Sequence, residues 1–194
     1  MELLDIGCGS RPYENIFAPY VARSVGLNAT DGPDVDVVGS AESVPFGDES
    51  FDCVLCTQVL EHVEHPAAVV SEAHRVLRHG GTAFMSTHGI APHHPNPNDY
   101  WRWTKAGLER LFTTAADWAD VEIHANGGSA TTIVYLTGGE LNKVAGKLGL
   151  VPLSNAIVLL LNTIAWRLDQ VLLRTYPERF ADLSANYLVV ATRG

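Results

Sequence analysis

The sequence has few basic residues. Lys and Arg together number 13 against 22 Asp and Glu, which gives a formal net charge of −9 at pH 7. Nucleic-acid backbones are bound by clustered Lys and Arg, so this balance argues against nucleic acid as the main partner. It suits a small ligand that carries positive charge.

Cysteine is scarce, and no secretory signal is recognisable at the N-terminus. The three cysteines are Cys8, Cys53 and Cys56, a small odd number that is typical of a reducing, cytoplasmic setting. Cys53 and Cys56 form a C-x-x-C within an apolar run that predicts a strand. Residues three apart on a strand point to opposite faces, so we expect neither a redox pair nor a zinc site there.

The chain also lacks internal repeats, low-complexity runs, an H-E-x-x-H motif and a Cys/His quartet, so no bound metal is expected. Its 194 residues, 46% of them hydrophobic, are enough for one domain with a sizeable core. We predict a single domain over 1–194, with a core at 1–124 and 186–194 and a helical insertion at about 125–185.

The first residues combine a short apolar strand with a glycine turn. Leu3, Leu4 and Ile6 lead into Gly7-Cys8-Gly9. A strand that ends in Gly-x-Gly is how an open α/β sheet brings backbone close to a ligand, because a side chain there would collide with it.

Strands and helices alternate along the rest of the chain. Apolar runs predict strands at 23–28, 51–56 and 82–87, and apolar residues at 3.6-residue spacing predict a helix over 66–77. Thr104 is typical of the cap of a further helix. Short links between these elements predict a doubly wound, mostly parallel α/β sheet with helices on both faces.

The helix predicted over 154–174, capped by Ser154, has a broad apolar stripe. Its longest uninterrupted apolar run, 156–161, is far shorter than the roughly 20 residues that span a membrane, so we expect no transmembrane span. We interpret the stripe as core or as a homodimer seam, with contact to a membrane surface through 155–174 as the alternative. The stripe consists of Ile157, Leu160, Leu161, Ile164, Leu168 and Leu172.

Together these motifs resemble a class I S-adenosylmethionine-dependent methyltransferase, of the group that methylates small molecules, lipid heads and sugars. The resemblance covers about residues 3–112 and implies a seven-stranded Rossmann-like sheet whose last strand is antiparallel. A nicotinamide or flavin protein would need a third glycine where this chain has Pro12. The segments that resemble the family are 5–10, 41–46, 51–54, 59–63, 72–81 and 94–104.

The resemblance implies S-adenosylmethionine as the cofactor and assigns residues to its parts. The glycine turn would pass the methionine part, Asn28 would meet the ribose, and the segment at 41–42 would flank the adenine. Asn28 stands where the family usually has an acid. The alternative to a ribose contact is that Asn28 simply stabilises the turn at the end of the strand. The implied cofactor-binding residues are Asp5, Gly7, Cys8, Gly9, Asn28, Ala41, Glu42, Thr57, Gln58 and Val59.

Methyl transfer is an in-line displacement that needs a positioned acceptor, and a base only where the acceptor must lose a proton. Three histidines follow strands four and five, on the ligand edge of the sheet: His62, His88 and His94. We predict these as candidate catalytic residues, and Asp99, Tyr100 and Arg102 as candidate substrate-binding residues. Loop packing is the alternative role for each of them.

The sequence thus predicts a cytoplasmic enzyme that methylates oxygen or nitrogen of a small-molecule acceptor. The alternatives are a non-catalytic cofactor-binding protein of the same fold, and a methyltransferase acting on a lipid-linked acceptor at the membrane surface. The family usually has a helix before strand one, whereas Met1 directly precedes that strand here. We therefore expect either that this cover is lacking or that the start has been assigned too far downstream.

Overall fold

The computed structural model describes residues 1–95, 97–176 and 183–194. Asn96 of the family-like loop and residues 177–182 of the predicted insertion lie outside the described residues. A short 3-10 helix occupies Ala18–Tyr20. The strands are β1 Glu2–Ile6, β2 Arg23–Asn28, β3 Val37–Val38, β4 Phe51–Thr57, β5 Leu77–His88, β6 Trp118–Asn126 and β7 Asn186–Arg193, and the helices are α1 Glu14–Phe17, α2 Pro66–Val76, α3 Lys105–Ala115, α4 Ser129–Lys147 and α5 Val151–Thr175.

The seven strands form one sheet in the order β3-β2-β1-β4-β5-β7-β6. The pairs β1–β2, β1–β4, β2–β3 and β4–β5 are parallel. The prediction of a mostly parallel, Rossmann-like sheet is confirmed. The strand order reverses between β1 and β4, and in open α/β sheets ligands bind at the carboxyl ends of the strands beside such a reversal.

The central strands are buried, as their near-continuous apolar sequences predict. Leu4, Ile6 and Val54 have no or almost no exposed surface, and α2 and α3 bury their apolar faces. Parallel strands covered on both faces need apolar side chains on both, which is why no alternation is seen. This core holds the carboxyl ends of β1, β4 and β5 in fixed register.

The contacts divide the chain into two compact units. The first comprises 1–88, 94–124 and 188–194, and the second comprises 89–93 and 125–187. The second unit contains the antiparallel helical hairpin of α4 and α5. The assignment of the whole chain to one domain stays a prediction.

The helical hairpin differs in two respects from the sequence expectation. The sequence between Gly127 and Gly149 predicts loop and one helix over 140–148, whereas α4 begins at Ser129. Ser154 is not the cap of α5, because the helix begins at Val151 and the buried Ser154 hydroxyl donates to the Val151 carbonyl at 3.0 Å. Both errors have one cause: the polar and small residues of these helices face inward and obscure the usual pattern.

The interpretation of the α5 stripe as core is wrong. Five of its six residues, all but Leu172, are exposed. By length and composition, Val151–Thr175 is also apolar enough to cross a membrane, and only 11% of its most apolar window is buried. The sequence predicts no membrane span because its longest uninterrupted apolar run is short. The whole helix has 25 residues, which is long enough to span, so its length does not support that prediction.

Candidate functional site

The turn after β1 has the backbone that its glycines predict. Gly7 and Gly9 have φ of +73° and +52°, a region that residues with a side chain avoid. A Cβ on Gly7 would overlap Cγ2 of Val59, which follows β4. Gly9 differs, because no atom lies within 4 Å of the place its Cβ would take. The turn is thus packed against the β4 end at Gly7 and open at Gly9.

Arg11 is a positioning residue that sequence reasoning missed. Its Nε donates to the Asp34 carbonyl at 2.7 Å, and its guanidinium binds the Asp36 carboxylate. The side chain lies over Gly26 of β2, where a Cβ would overlap it. Asp36 also accepts from the Gly26 amide at 2.8 Å, and this bond, followed by that from Arg11, lowers the pKa of Asp36. The available sequence signal was an Arg two residues after the Gly-x-Gly turn, with acids at 34 and 36 beyond β2.

Asp5 is buried at the end of β1, below the glycine turn. Burial raises the pKa of Asp5 to about 6, although the charge of Arg11 opposes that rise. Burial, and secondarily the charge of Asp5, also raises the pKa of the neighbouring Cys8 thiol. A carboxyl that is costly to ionise is relieved by a cation, so this position favours a positively charged ligand.

Asn28 and Glu42 both have structural partners. The Asn28 amide nitrogen donates to the Thr30 carbonyl at 3.1 Å and to its hydroxyl at 3.2 Å, which is the turn role. Glu42 accepts from the His65 amide at 2.9 Å, directly before α2, and so is not simply a solvated carboxylate. Ala41 lies beside Glu42 in the same loop. Contact of these residues with ribose and adenine stays a prediction.

Residues 57–59 leave β4 at the carboxyl edge of the sheet, next to the glycine turn. Gln58 has a φ of +56°, and its amide donates to the Ser86 carbonyl of β5 at 2.9 Å. Its side-chain nitrogen donates to the Ser86 hydroxyl at 3.1 Å, while its buried Oε1 has no hydrogen-bond partner. Backbone strain and an unsatisfied buried oxygen at one residue are typical of a ligand site. Thr57 precedes Gln58 at the end of β4.

The three histidines predicted as catalytic lie together. The ring centroid of His94 is 6.0 Å from that of His62 and 6.3 Å from that of His88. His62 is held by a hydrogen bond between its Nδ1 and the Asn98 carbonyl. Three separate segments therefore bring their imidazoles to one place at the carboxyl edge. Within the described ranges, no group of three or more His, Cys, Asp or Glu is arranged to hold a metal ion.

Glu61 is the second residue that sequence reasoning missed as a site residue. It is completely buried, and its Oε2 accepts from the Thr87 hydroxyl at 2.8 Å. Its Oε1 lies 3.5 Å from Nε2 of His88. The Glu61 carbonyl also accepts from the Tyr100 amide at 2.8 Å, which ties the loop after β5 to the end of β4. The available sequence signal was an acid within the apolar and histidine-bearing motif Leu60-Glu61-His62, shortly after β4.

Asp99 and Arg102 bind each other. Two guanidinium nitrogens of Arg102 contact the two carboxylate oxygens of Asp99 at 2.5 and 2.6 Å, and the Asp99 side chain is almost fully buried. Asp99 also accepts from the His94 amide at 2.7 Å. The pair thus shapes the loop that presents His94. A direct role in binding substrate stays a prediction for both, and for Tyr100, whose side chain is exposed.

The residues present fit S-adenosylmethionine. Gly9 leaves space beside backbone, the unpartnered Gln58 oxygen accepts a hydrogen bond, and the buried Asp5 carboxyl favours a cation. The cofactor carries a sulfonium and an ammonium group, and it has no phosphate that would require a longer glycine turn.

Residues 4–85 match the family described as "Methyltransferase domain". Among curated proteins, the chain is 33% identical over 109 residues to the uncharacterized methyltransferase YcgJ of Bacillus subtilis. This match covers 48% of this chain and 42% of the relative. It is 30% identical over 104 residues to a ubiquinone biosynthesis O-methyltransferase of Pseudomonas aeruginosa, with 44% of each chain covered. The matches thus span less than half the length of these relatives.

A solved structure of phosphoethanolamine N-methyltransferase 2 of Haemonchus contortus, in complex with S-adenosyl-L-methionine, has the same fold. The TM-score is 0.61 at 14% identity, covering 100% of this chain and 48% of that one. The glycine turn, the strand order and the family match agree with one another. The resemblance to class I S-adenosylmethionine-dependent methyltransferases is confirmed: residues 4–85 match a methyltransferase domain, and the described residues have the fold of such an enzyme.

Proposed function

We propose that this protein binds S-adenosylmethionine in the cytoplasm and transfers its methyl group to an oxygen or nitrogen of a small-molecule acceptor. Support for the class of acceptor atom comes from both kinds of relative. The curated relative from Pseudomonas aeruginosa is named as an O-methyltransferase, and the structural neighbour from Haemonchus contortus is named as an N-methyltransferase. The observation that carries the proposal is the buried Glu61 beside His88, at the strand edge that bears the glycine turn.

When bound, S-adenosylmethionine supplies an electrophilic methyl group. The chain's own task is to hold the acceptor in line, exclude water and, for a hydroxyl, remove a proton. His62, His88 and His94 supply the imidazoles at this edge, and the paired Asp99 and Arg102 hold the loop that carries His94.

His88 is the base that we favour, with Glu61 as its positioning residue. When an imidazole takes a proton, a buried carboxylate beside it stabilises the resulting imidazolium. Glu61 is itself fixed by the Thr87 hydroxyl, so the carboxylate does not have to reorganise. An acceptor hydroxyl near the His88 ring would lose its proton as the new bond to carbon forms.

Calorimetric titration with S-adenosylmethionine and S-adenosylhomocysteine is the direct test. We expect saturable binding of both, and formation of S-adenosylhomocysteine when hydroxyl- and amine-bearing acceptors are added. Absence of heat and of any thermal shift with both compounds would exclude the proposal. Binding without turnover across a broad acceptor panel would favour the non-catalytic alternative.

His88→Gln and Glu61→Gln should each lower turnover of a hydroxyl acceptor by about 10²-fold or more, while affinity for S-adenosylmethionine stays within about twofold. Glu122 and His124 form a second Glu–His pair, exposed on β6 with 3.0 Å between its atoms. Glu122→Gln and His124→Gln are therefore matched controls and should retain turnover. Wild-type turnover in His88→Gln would remove His88 from the role of base.

A further inference from the structure

The helical hairpin of α4 and α5 has its apolar side chains on the outside. Leu159 is 70% exposed, Leu160 60% and Ile164 55%. The turn that joins the helices is exposed too, at Leu148 and Leu150. Contiguous apolar surface of this extent on a folded protein marks a site where something else covers it.

The side chains that the two helices bury are small or polar. Along the described helices, α5 buries Ser154, Ala165 and Asp169, and α4 buries Thr132, Gly138 and Ala145. A Cβ on Gly138 would come within 2.9 Å of Val158, so glycine allows the helices to approach closely. Asp169 accepts from the Gly128 and Thr131 amides and from the Thr131 hydroxyl.

This pattern is the reverse of an ordinary amphipathic pair in water. There the apolar stripes of two helices face each other and the polar faces meet solvent. Small residues and hydrogen-bonded polar residues between helices, with apolar side chains outside, are typical of helices whose surroundings are lipid.

The apolar surface lies on both flanks of the helix contact, which decides between lipid and a second copy of this chain. Leu159 and Trp166, seven residues apart, lie on one flank. On the other flank, residues at three- and four-residue spacing form the exposed stripe. A dimer seam covers one stripe and would leave the other flank in water, whereas acyl chains cover both. The residues of the second flank are Leu153, Ile157, Leu160, Ile164, Leu168 and Val171.

The charges of the hairpin also favour a bilayer with anionic headgroups. Residues 129–175 contain the basic residues Lys143, Lys147, Arg167 and Arg174. Their acids are Glu140, which pairs with Lys143, and the buried Asp169. The hairpin is thus basic in a chain whose net charge is −9. The Arg167 guanidinium lies 5.6 Å from the Trp166 ring centroid, a pairing of residues that are enriched at the membrane–water interface.

We propose that the α4–α5 hairpin docks on an anionic lipid bilayer, with the outer face of α5 in the boundary between headgroups and acyl chains and its basic residues at the phosphates. The hairpin lies in the plane of the interface, because Arg167 is exposed eight residues before the end of α5, and a spanning helix would carry its charge roughly 12 Å below the headgroups. This surface does not depend on the cofactor site.

The test is flotation of the full chain with vesicles of phosphatidylcholine alone or with about 30% phosphatidylglycerol, in the absence of cofactor. We expect flotation with the anionic vesicles and at least a tenfold lower bound fraction on the neutral ones. Failure to float with anionic vesicles overturns the proposal. A dimer in light scattering that does not float assigns the face to a second copy instead.

Substitutions locate the surface. The double variant L160E/I164E should lose at least tenfold of the bound fraction with the same circular dichroism and melting temperature, because both positions are exposed. The matched control I16E/V38E changes residues of the first unit that are equally exposed, 68% and 54%, and should float like the wild type. K143Q/K147Q should weaken flotation on anionic vesicles in particular. Wild-type flotation of L160E/I164E overturns the proposal.

Discussion

At the scale of single residues, the site depends on two glycines that have the same backbone conformation and different surroundings. Gly7 is closed by Val59, so a side chain there disturbs the fold whether or not a ligand is bound. Gly9 faces open space, so a side chain there meets only what enters that space. The sequence pattern Gly-x-Gly does not distinguish these two roles.

Gly9→Ala should lower the affinity for S-adenosylmethionine by about tenfold or more, since its methyl group enters the space left beside the turn. Its φ of +52° also imposes a strain of roughly 1–2 kcal/mol on any L-residue. Gly80→Ala is the matched control, because Gly80 has a φ of +75° and no atom within 4 Å of its Cβ position. Thermal melting should show that Gly80→Ala lowers stability as much as Gly9→Ala does. Titration calorimetry should show that the affinity of Gly80→Ala for S-adenosylmethionine is unchanged. Equal affinities in both variants would place the cofactor elsewhere.

At the scale of elements, α2 holds the loop predicted to flank the adenine. Glu72 accepts from the Val44 amide at 2.7 Å, and Arg75 donates to the Val44 and Phe46 carbonyls and binds Asp48. The bond from Arg75 is also the main reason why the pKa of Glu72 is lowered. The segment Glu72-Ala-His-Arg75 thus belongs to the site through the loop that it fixes.

Arg75→Lys should weaken binding of S-adenosylmethionine by about threefold to tenfold, because lysine cannot reach two carbonyls and two acids at once. The measurement is calorimetric titration, with Arg110→Lys on the exposed side of α3 as the control. If Arg75→Lys binds like the wild type, the loop at 41–48 does not contribute to cofactor affinity.

In the hairpin, a side chain of α5 caps the start of α4. Asp169 of α5 supplies the capping carboxylate that the Gly128 position itself lacks. Asp169→Ala leaves these helix N–H groups unsatisfied and should lower the free energy of opening the hairpin by about 2–4 kcal/mol. Hydrogen exchange of the amides at 129–135 measures this directly. Gln170→Ala, next along the helix and exposed, should leave exchange unchanged, and equal protection in the two variants would contradict the capping role.

At the scale of the whole molecule, one buried acid sets a pH dependence. The Asp5 pKa of about 6 lies above its ordinary value of 3.8, so the folded protein binds this proton more tightly than the unfolded chain. The contribution of Asp5 to stability is therefore fully present below about pH 4 and declines as pH rises through 6, by about 3 kcal/mol in total. A cationic ligand that restores the charged form offsets this loss.

Asp5→Asn removes that proton equilibrium. Relative to the wild type, its free energy of unfolding should rise between pH 4 and pH 7, and its affinity for S-adenosylmethionine should fall because the carboxylate is lost. Urea unfolding at both pH values and calorimetric titration at pH 7.5 measure the two effects. Identical pH profiles for wild type and variant would show that Asp5 is not the group that titrates.

What the sequence by itself determined are the parts that rest on local chemistry. Apolar runs that end in Gly-x-Gly specify a buried parallel strand and its turn, and 3.6-residue periodicity with Pro66 specifies α2. The Thr104 cap is confirmed, since its hydroxyl accepts from the Gly107 amide at 3.0 Å. The place of His62, His88 and His94 at the strand ends also follows from order along the chain, because parallel strands end at one edge.

Only the tertiary structure decided which side chains meet. Glu61 beside His88, Arg11 over Gly26, and Asp99 with Arg102 are contacts made by folding, and no local pattern specifies their geometry. The hairpin shows the same limit more strongly. An apolar stripe faces the core in water but faces outward in lipid, and its periodicity is identical in both cases. Ser154 and Asp169 are buried, whereas the leucines on the other side of α5 are exposed, and this shows that the apolar stripe faces outward. Which face of a helix is buried is decided only when the neighbouring helix packs against it.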